Sequence, residues 1–316
     1  MLPPSEQVGR FEKFSFPVGD PIYKEVRGEN HYYWAEIKAN PSSTGGYSYI
    51  QGSGLPGVSG ISKYLDPDAD PLMHWAARLE REGIAALADA ALAADGDLTW
   101  LADAKVIAEA LEAGKLRWSD RRNQRADEGK EVHKEITFEL AMGRSAPSLA
   151  GLSDEARGYG QAKLKWWRDR QPEPFAAECA TVHHTRKFAG TFDLLALIDL
   201  DSPGLPPLPK DCQHSGHGSA IVLIDDKTRE KPRTYKSDHV QLRGYKLANR
   251  ECGIGESDLE LVVVLLPDGT YQEFWSCATD ADFNSALLAS QSGKQLDQRM
   301  RAAERAAGKA REAVLA

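Results

Sequence analysis

The stretch Ile221-Val-Leu-Ile-Asp-Asp-Lys-Thr228 decides how the chain is read. Four apolar residues place a strand in a core, and charge then appears abruptly. Side chains alternate along a strand, so Asp225 and Lys227 share one face while Asp226 points to the other. An acid and an amine at the end of a buried strand are costly unless they pair or hold a metal. Asp193 stands in the same way in Ala189-Gly-Thr-Phe-Asp-Leu-Leu-Ala-Leu-Ile198, a lone carboxylate ahead of an apolar strand. If the two strands are neighbours, Asp193 and Asp225 can share one hard cation. Oxygen ligands with open water positions suit Mg²⁺ or Mn²⁺. A plain ion pair between Asp225 and Lys227 is the competing reading, and the triplet alone does not decide against it.

Outward from these strands, the second half of the chain reads as β-rich: Ala176 to His183, Phe188 to Leu200, Ser219 to Thr228, Leu259 to Leu266 and Thr270 to Ser276. A helix from about Ser237 to Cys252 separates the third and fourth strands, and 201–218, rich in Pro and Gly, reads as a loop. Upstream, helices are expected over Pro71 to Ala94, Leu98 to Ala113, Ser119 to Met142 and Ser153 to Arg170, with another from Thr279 to the end. Asp70 before Pro71 fits a helix N-cap better than a calcium loop. His31 to Lys38 and Tyr47 to Gln51 read as a hairpin, whose aromatic residues are expected to fasten it to the core. The expectation is an α/β fold: a mixed central β-sheet flanked by helices, with a helical N-terminal elaboration. The divisions expected are an N-terminal hairpin or extension over 1–55, a main domain over 56–290 and a helical tail over 291–316.

Composition narrows the class. The 316 residues are 41% hydrophobic and 27% charged, a globular profile. No apolar run is of bilayer length and the start shows no secretory pattern, so a cytoplasmic address without membrane partners is expected. Cys179, Cys212, Cys252 and Cys277 lack any C-x-x-C pair, and ordinary reduced thiols are expected rather than zinc ligands or a disulfide framework. Net charge is −8, yet between Lys227 and Arg250 eight basic residues face two acidic ones. Such an island is a candidate phosphate-facing surface, although a solvated helix face would look the same.

Two further signals keep company with the strand motifs. Gln241 and Tyr245 lie at i and i+4, on one face of the following helix, and His133 lies mid-helix upstream. The ordered set Gly190-x-x-Asp193, Asp225-x-Lys227-Thr228 and Gln241-x-x-x-Tyr245, with His133 before it, resembles the PD-(D/E)XK nuclease superfamily, in its RecB-like and Cas4-like exonuclease branch. The segment Pro56-Gly-Val-Ser59 leading to Trp75 resembles the N-terminal part of such exonucleases, and the likeness runs to about Trp275. It implies a restriction-endonuclease-like core and Mg²⁺- or Mn²⁺-dependent hydrolysis of DNA at ends or single strands, in phage or bacterial recombination or repair. An endonuclease of a defence or phage system, or a non-catalytic DNA-binding subunit, would share the fold.

By the same resemblance, Asp193 and Asp225 bind metal with His133 contributing, Lys227 is catalytic, Gln241 and Tyr245 support the site, and Glu178 is a further acid. Arg229, Lys231, Arg233, Lys236 and Arg243 are the expected DNA contacts. A cation beside Lys227 would lower its pKa and open proton transfer to it. The cysteine spacing departs from cluster-bearing relatives, so no iron–sulfur cluster is expected. A homo-oligomer is compatible with all of this.

Overall fold

The computed structural model describes residues 5–27, 30–43, 46–51, 53–65, 69–94, 96–143, 147–210, 214 and 216–315; among these, the side chains of 30, 65, 69–75, 121–123, 125–126, 133–134, 155 and 306–315 fall outside the description. In chain order the strands are β1 (Ser5–Val8), β2 (Phe11–Phe14), β3 (Ile22–Arg27), β4 (Asn30–Trp34), β5 (Ile37–Ala39), β6 (Tyr47–Tyr49) and β7 (Gly54–Leu55). Helices α1 (Val58–Ser62), α2 (Ala69–Ala93), α3 (Ala104–Ala113), α4 (Trp118–Val132), α5 (Phe138–Ala141) and α6 (Asp154–Arg170) follow. Then come β8 (Glu173–His183), β9 (Phe188–Asp199), β10 (Ser219–Thr228), α7 (Lys236–Cys252), β11 (Leu259–Leu265), β12 (Tyr271–Trp275) and α8 (Asp280–Leu315).

The protein is α/β, and its central sheet is mixed, in the order β12-β11-β10-β9-β8. β10 and β11 run parallel and the other neighbours are antiparallel. The parallel pair needs a crossover, and α7 supplies it. Every residue of β11 is buried because helices cover both faces of the sheet. On one face Val222, Ile224 and Leu261 pack against Trp166 of α6 and Val132 of α4. On the other, Leu223, Val262 and Val264 meet Val240 and Leu247 of α7 and Phe283 of α8. At α7, Asp238 accepts the Tyr235 backbone N–H at 2.8 Å, and Gly253 closes the C-terminus at φ +78°.

A second sheet, β1-β2-β3-β4-β7, packs Phe14, Ile22 and Tyr33 onto Ala180, Val182 and Ala189 of the central sheet. This corrects the expected N-terminal hairpin. The run His31 to Lys38 breaks after Trp34; its first half pairs with β3 and β7, and only Ile37–Ala39 pairs with Tyr47–Tyr49. Trp34 stacks on Tyr49 at 4.0 Å between ring centroids, which fastens the small hairpin to this sheet.

Two expected helices are also interrupted. Leu98 to Ala113 divides into a 3₁₀ turn, Thr99–Ala102, and α3, because the Asp103 side chain accepts the N–H groups of Lys105 and Val106 and starts a new helix. Ser119 to Met142 contains a π-helical turn, His133–Thr137, between α4 and α5. The Asp70 cap lies outside the described side chains. Helix α8 runs unbroken through residue 290. Among the described residues, no helix is long and apolar enough to cross a membrane. Cys179 and Cys252 are buried thiols and Cys277 is exposed, while Cys212 lies outside the described residues.

Candidate active site

The last registered pair between β9 and β10 sets Ile224 against Leu194, so the next residue on each strand brings Asp225 opposite Asp193. Both carboxylates are buried. Asp193 Oδ2 accepts the Asp226 backbone N–H at 2.8 Å, which ties the two strands together at the point where the acids meet. Lys227 shares Asp225's face, as alternation requires, and its Nζ lies 2.5 Å from Asp225 Oδ2. With 21% of its side chain exposed, Lys227 reaches toward solvent from an otherwise buried group. Asp226 turns to the opposite face, toward α6.

Helix α7 packs on the face that carries Asp225. Gln241 Nε2 donates to Asp225 Oδ1 at 3.3 Å and to Tyr245 Oη at 2.9 Å, while Gln241 Oε1 accepts from Lys227 Nζ at 3.4 Å. One amide therefore links the acid, the amine and the phenol. The close approach of α7 depends on Gly190, where a methyl group would meet the Tyr245 ring at 2.5 Å. Gly190→Ala is expected to lower the unfolding free energy by about 1–3 kcal/mol, read from urea denaturation; an unchanged midpoint would contradict this packing.

Burial, reinforced by the charge of Asp193, pushes the Asp225 carboxyl up to about 7 in spite of the Lys227 ammonium. Burial works against the Lys227 charge, but Asp225, Asp193 and Asp238 outweigh it and hold its pKa above the ordinary lysine value. The direction expected for a lysine beside a cation is thus reversed in the protein alone, where the neighbours are carboxylates. Tyr245 is raised well above its usual value by burial and by both acids, so it stays a neutral phenol.

Glu178 falls opposite Asp193 on β8, between the registered pairs of Ala177 and Cys179, with φ at +47°. A non-glycine residue there is strained, and such strain clusters at functional sites. Its charge is felt at Lys24 and at Tyr33, whose hydroxyl bonds Thr191 Oγ1 at 2.8 Å, two residues before Asp193. Helix α4 crosses the end of β10, with Gly129 close against Thr228. His133 follows one turn later, and its side chain lies outside the described residues.

The basic island divides. Arg229 donates to both oxygens of Asp238 at 2.6 and 2.8 Å, and Arg243 donates to the Ala278 carbonyl at 2.8 Å with Glu260 3.4 Å away. Lys231, Arg233 and Lys236 are exposed. Sequence reading did not single out Lys163 or Thr137, which meet Asp226 behind the site. A signal existed for Lys163: it follows Tyr159 by four residues and precedes Trp166 by three, on the helix's apolar stripe.

Among the described residues, no three His, Cys, Asp or Glu side chains are grouped so as to hold an ion. The two carboxylates nonetheless fit a hard cation. They are all-oxygen donors, and Asp225 Oδ2 is buried without an aligned hydrogen bond. Mg²⁺ commonly takes only one or two carboxylates and completes its shell with water and substrate oxygens. Neither a family model nor a curated protein matches the chain.

Proposed function

We propose that the chain is a metal-dependent nuclease that hydrolyses phosphodiester bonds in DNA, acting as an exonuclease on ends or single strands. The observation that carries this reading is the meeting of Asp193 and Asp225 on adjacent strands with Lys227 on the same face. A mixed sheet with helices on both faces is compatible with the core that the resemblance to PD-(D/E)XK nucleases implies, and Gln241 bonds both Tyr245 and Asp225, as in a supporting pair. A phage or bacterial recombination or repair setting follows from that resemblance alone.

Asp193 and Asp225 would hold Mg²⁺ or Mn²⁺, which neutralises phosphate charge and lowers the pKa of a bound water. The remaining work falls to the chain's own groups. Lys227, with its ammonium beside Asp225 and partly open to solvent, would place a positive charge and hydrogen-bond donors toward a phosphate oxygen. Gln241 fixes the rotamer of Asp225 through Oδ1 and leaves Oδ2 toward Lys227. Lys231, Arg233 and Lys236, on the loop after β10 and at the start of α7, supply an exposed cationic surface for the DNA backbone.

The test is digestion of end-labelled single- and double-stranded DNA with Mg²⁺ or Mn²⁺ and with EDTA. Metal-dependent loss of label that EDTA stops is expected, with covalently closed circles left intact. Cutting of closed circles would move the reading to an endonuclease. Persistent inactivity with retained DNA binding would leave a binding subunit.

A further inference from the structure

Behind the face that carries Asp225 and Lys227, a second charged group is sealed in the core. Lys163 of α6 and Asp226 of β10 both have fully buried side chains, and Lys163 Nζ lies 2.9 Å from Oδ1 and 2.7 Å from Oδ2. Thr137, in the π-helical turn, donates its hydroxyl to Asp226 Oδ2 at 3.1 Å. The ammonium also sits over the Trp166 ring, 4.1 Å from its centroid. Three elements are thus fixed to one carboxylate: the helix α6, the turn that begins at His133, and the strand that carries the site.

Fold stability does not account for such a pair. Removing two charges from water costs about as much as their attraction returns, and well-packed apolar side chains of the same volume often serve as well or better. What a buried pair with a third hydrogen bond can supply is a single register. Its target here is close at hand. The backbone N–H of Asp226 is the group that holds Asp193 Oδ2, and the residues on either side of Asp226 are Asp225 and Lys227.

We propose that Lys163 is a positioning residue for the site, anchoring the Asp226 side chain so that the Asp226 peptide orients Asp193 and holds Asp225 and Lys227 on the opposite face. This rests on reading the site as a divalent-cation centre. A group that orients metal-binding carboxylates from behind is worth roughly 10–100-fold in metal affinity or activity.

The experiment replaces both partners, Lys163→Met with Asp226→Leu, in the full chain, and measures Mn²⁺ affinity by calorimetry, DNA hydrolysis and the thermal midpoint. The double variant is expected to melt no lower than the wild type, while Mn²⁺ affinity and kcat each fall roughly 10–100-fold and KM for DNA changes little. Thr137→Val keeps the ion pair and removes one anchor, so it should move the same two quantities in the same direction by less. It decides the matter if the double variant does not fold. Wild-type Mn²⁺ affinity and kcat in the folded double variant, or in Thr137→Val where that variant decides, overturn the positioning role and leave the nuclease reading intact. A wild-type chain that neither binds Mn²⁺ nor cuts DNA overturns both.

Discussion

Asp225→Asn is expected to slow DNA hydrolysis on the order of 10³-fold without lowering the thermal midpoint of the protein. The two outcomes come from the same burial. Asparagine keeps the size of the side chain and an acceptor for Gln241 Nε2, but removes half of the negative charge that Asp193 and Asp225 offer to a cation. The fold loses the Lys227 contact at Oδ2, where the amide N–H groups now face the ammonium, but it is also relieved of a buried carboxylate, and the two effects offset. Burial raises the Asp225 carboxyl from 3.8 to about 7, so across that interval the folded state holds a proton that the unfolded chain has released. Stability then falls as pH rises through the interval, and an amide abolishes this slope. With EDTA present, the variant should therefore gain on the wild type between pH 4 and pH 7 in urea midpoints. Lys227 keeps Asp193 and Asp238 as neighbouring charges and does not become an isolated cation. Near-wild-type hydrolysis by a folded Asp225→Asn protein would remove Asp225 from the chemistry altogether.

The largest effect on stability is expected from Arg170→Met, a loss of roughly 3–5 kcal/mol read from urea denaturation. Arg170 donates from Nε and Nη2 to the two oxygens of Glu273 at 2.8 and 2.7 Å, and from Nη1 to the Pro203 carbonyl at 2.7 Å. Trp166 Nε1 adds a further bond to Glu273 at 2.8 Å. Both charged side chains are buried, so methionine would strand the Glu273 carboxylate in the core. Adding Glu273→Gln neutralises the stranded charge while keeping an acceptor for Trp166, and should recover the larger part of the loss. A single variant within 1 kcal/mol of the wild type would mean that water reaches Glu273 and that this end of the sheet is open.

Much of the central sheet was legible because its signals are local. The apolar run Ile221 to Ile224 lies within the strand read over Ser219 to Thr228, which are the bounds of β10, and the helix read from about Ser237 to Cys252 is α7, which begins one residue earlier. The pairing of Asp193 with Asp225 could be stated only as a condition, since register between strands depends on the loop and bulges between them rather than on either strand. The N-terminal sheet escaped notice for a different reason. In β2 and β3 the buried positions fall three apart, Phe11 with Phe14 and Ile22 with Glu25, so the twofold alternation that marks a half-buried strand is missing.

The basic island shows a further limit. Charge counting sees Arg229 and Arg243 as two cations among eight, but Asp238 lies nine residues from the first and Glu260 seventeen from the second, and each neutralises its arginine only once α7 has packed. Lys163 was hidden by the habit of reading lysine as a surface residue, although its place among Tyr159, Ala162 and Trp166 implied that it must find an anion inside.

The segment between β9 and β10 returns on itself: Leu200 N–H bonds the Gly218 carbonyl at 2.7 Å, Asp201 accepts from the Gly218 N–H at 2.9 Å, and Trp275 Nε1 holds the Pro206 carbonyl at 2.8 Å. Its two ends meet at the end of β9 and the start of β10, the ends of these strands remote from Asp225. A fluorophore or surface tether grafted into this excursion would therefore sit at the opposite end of β10 from the acidic pair, and single molecules could be immobilised there without touching Asp193, Asp225 or Lys227.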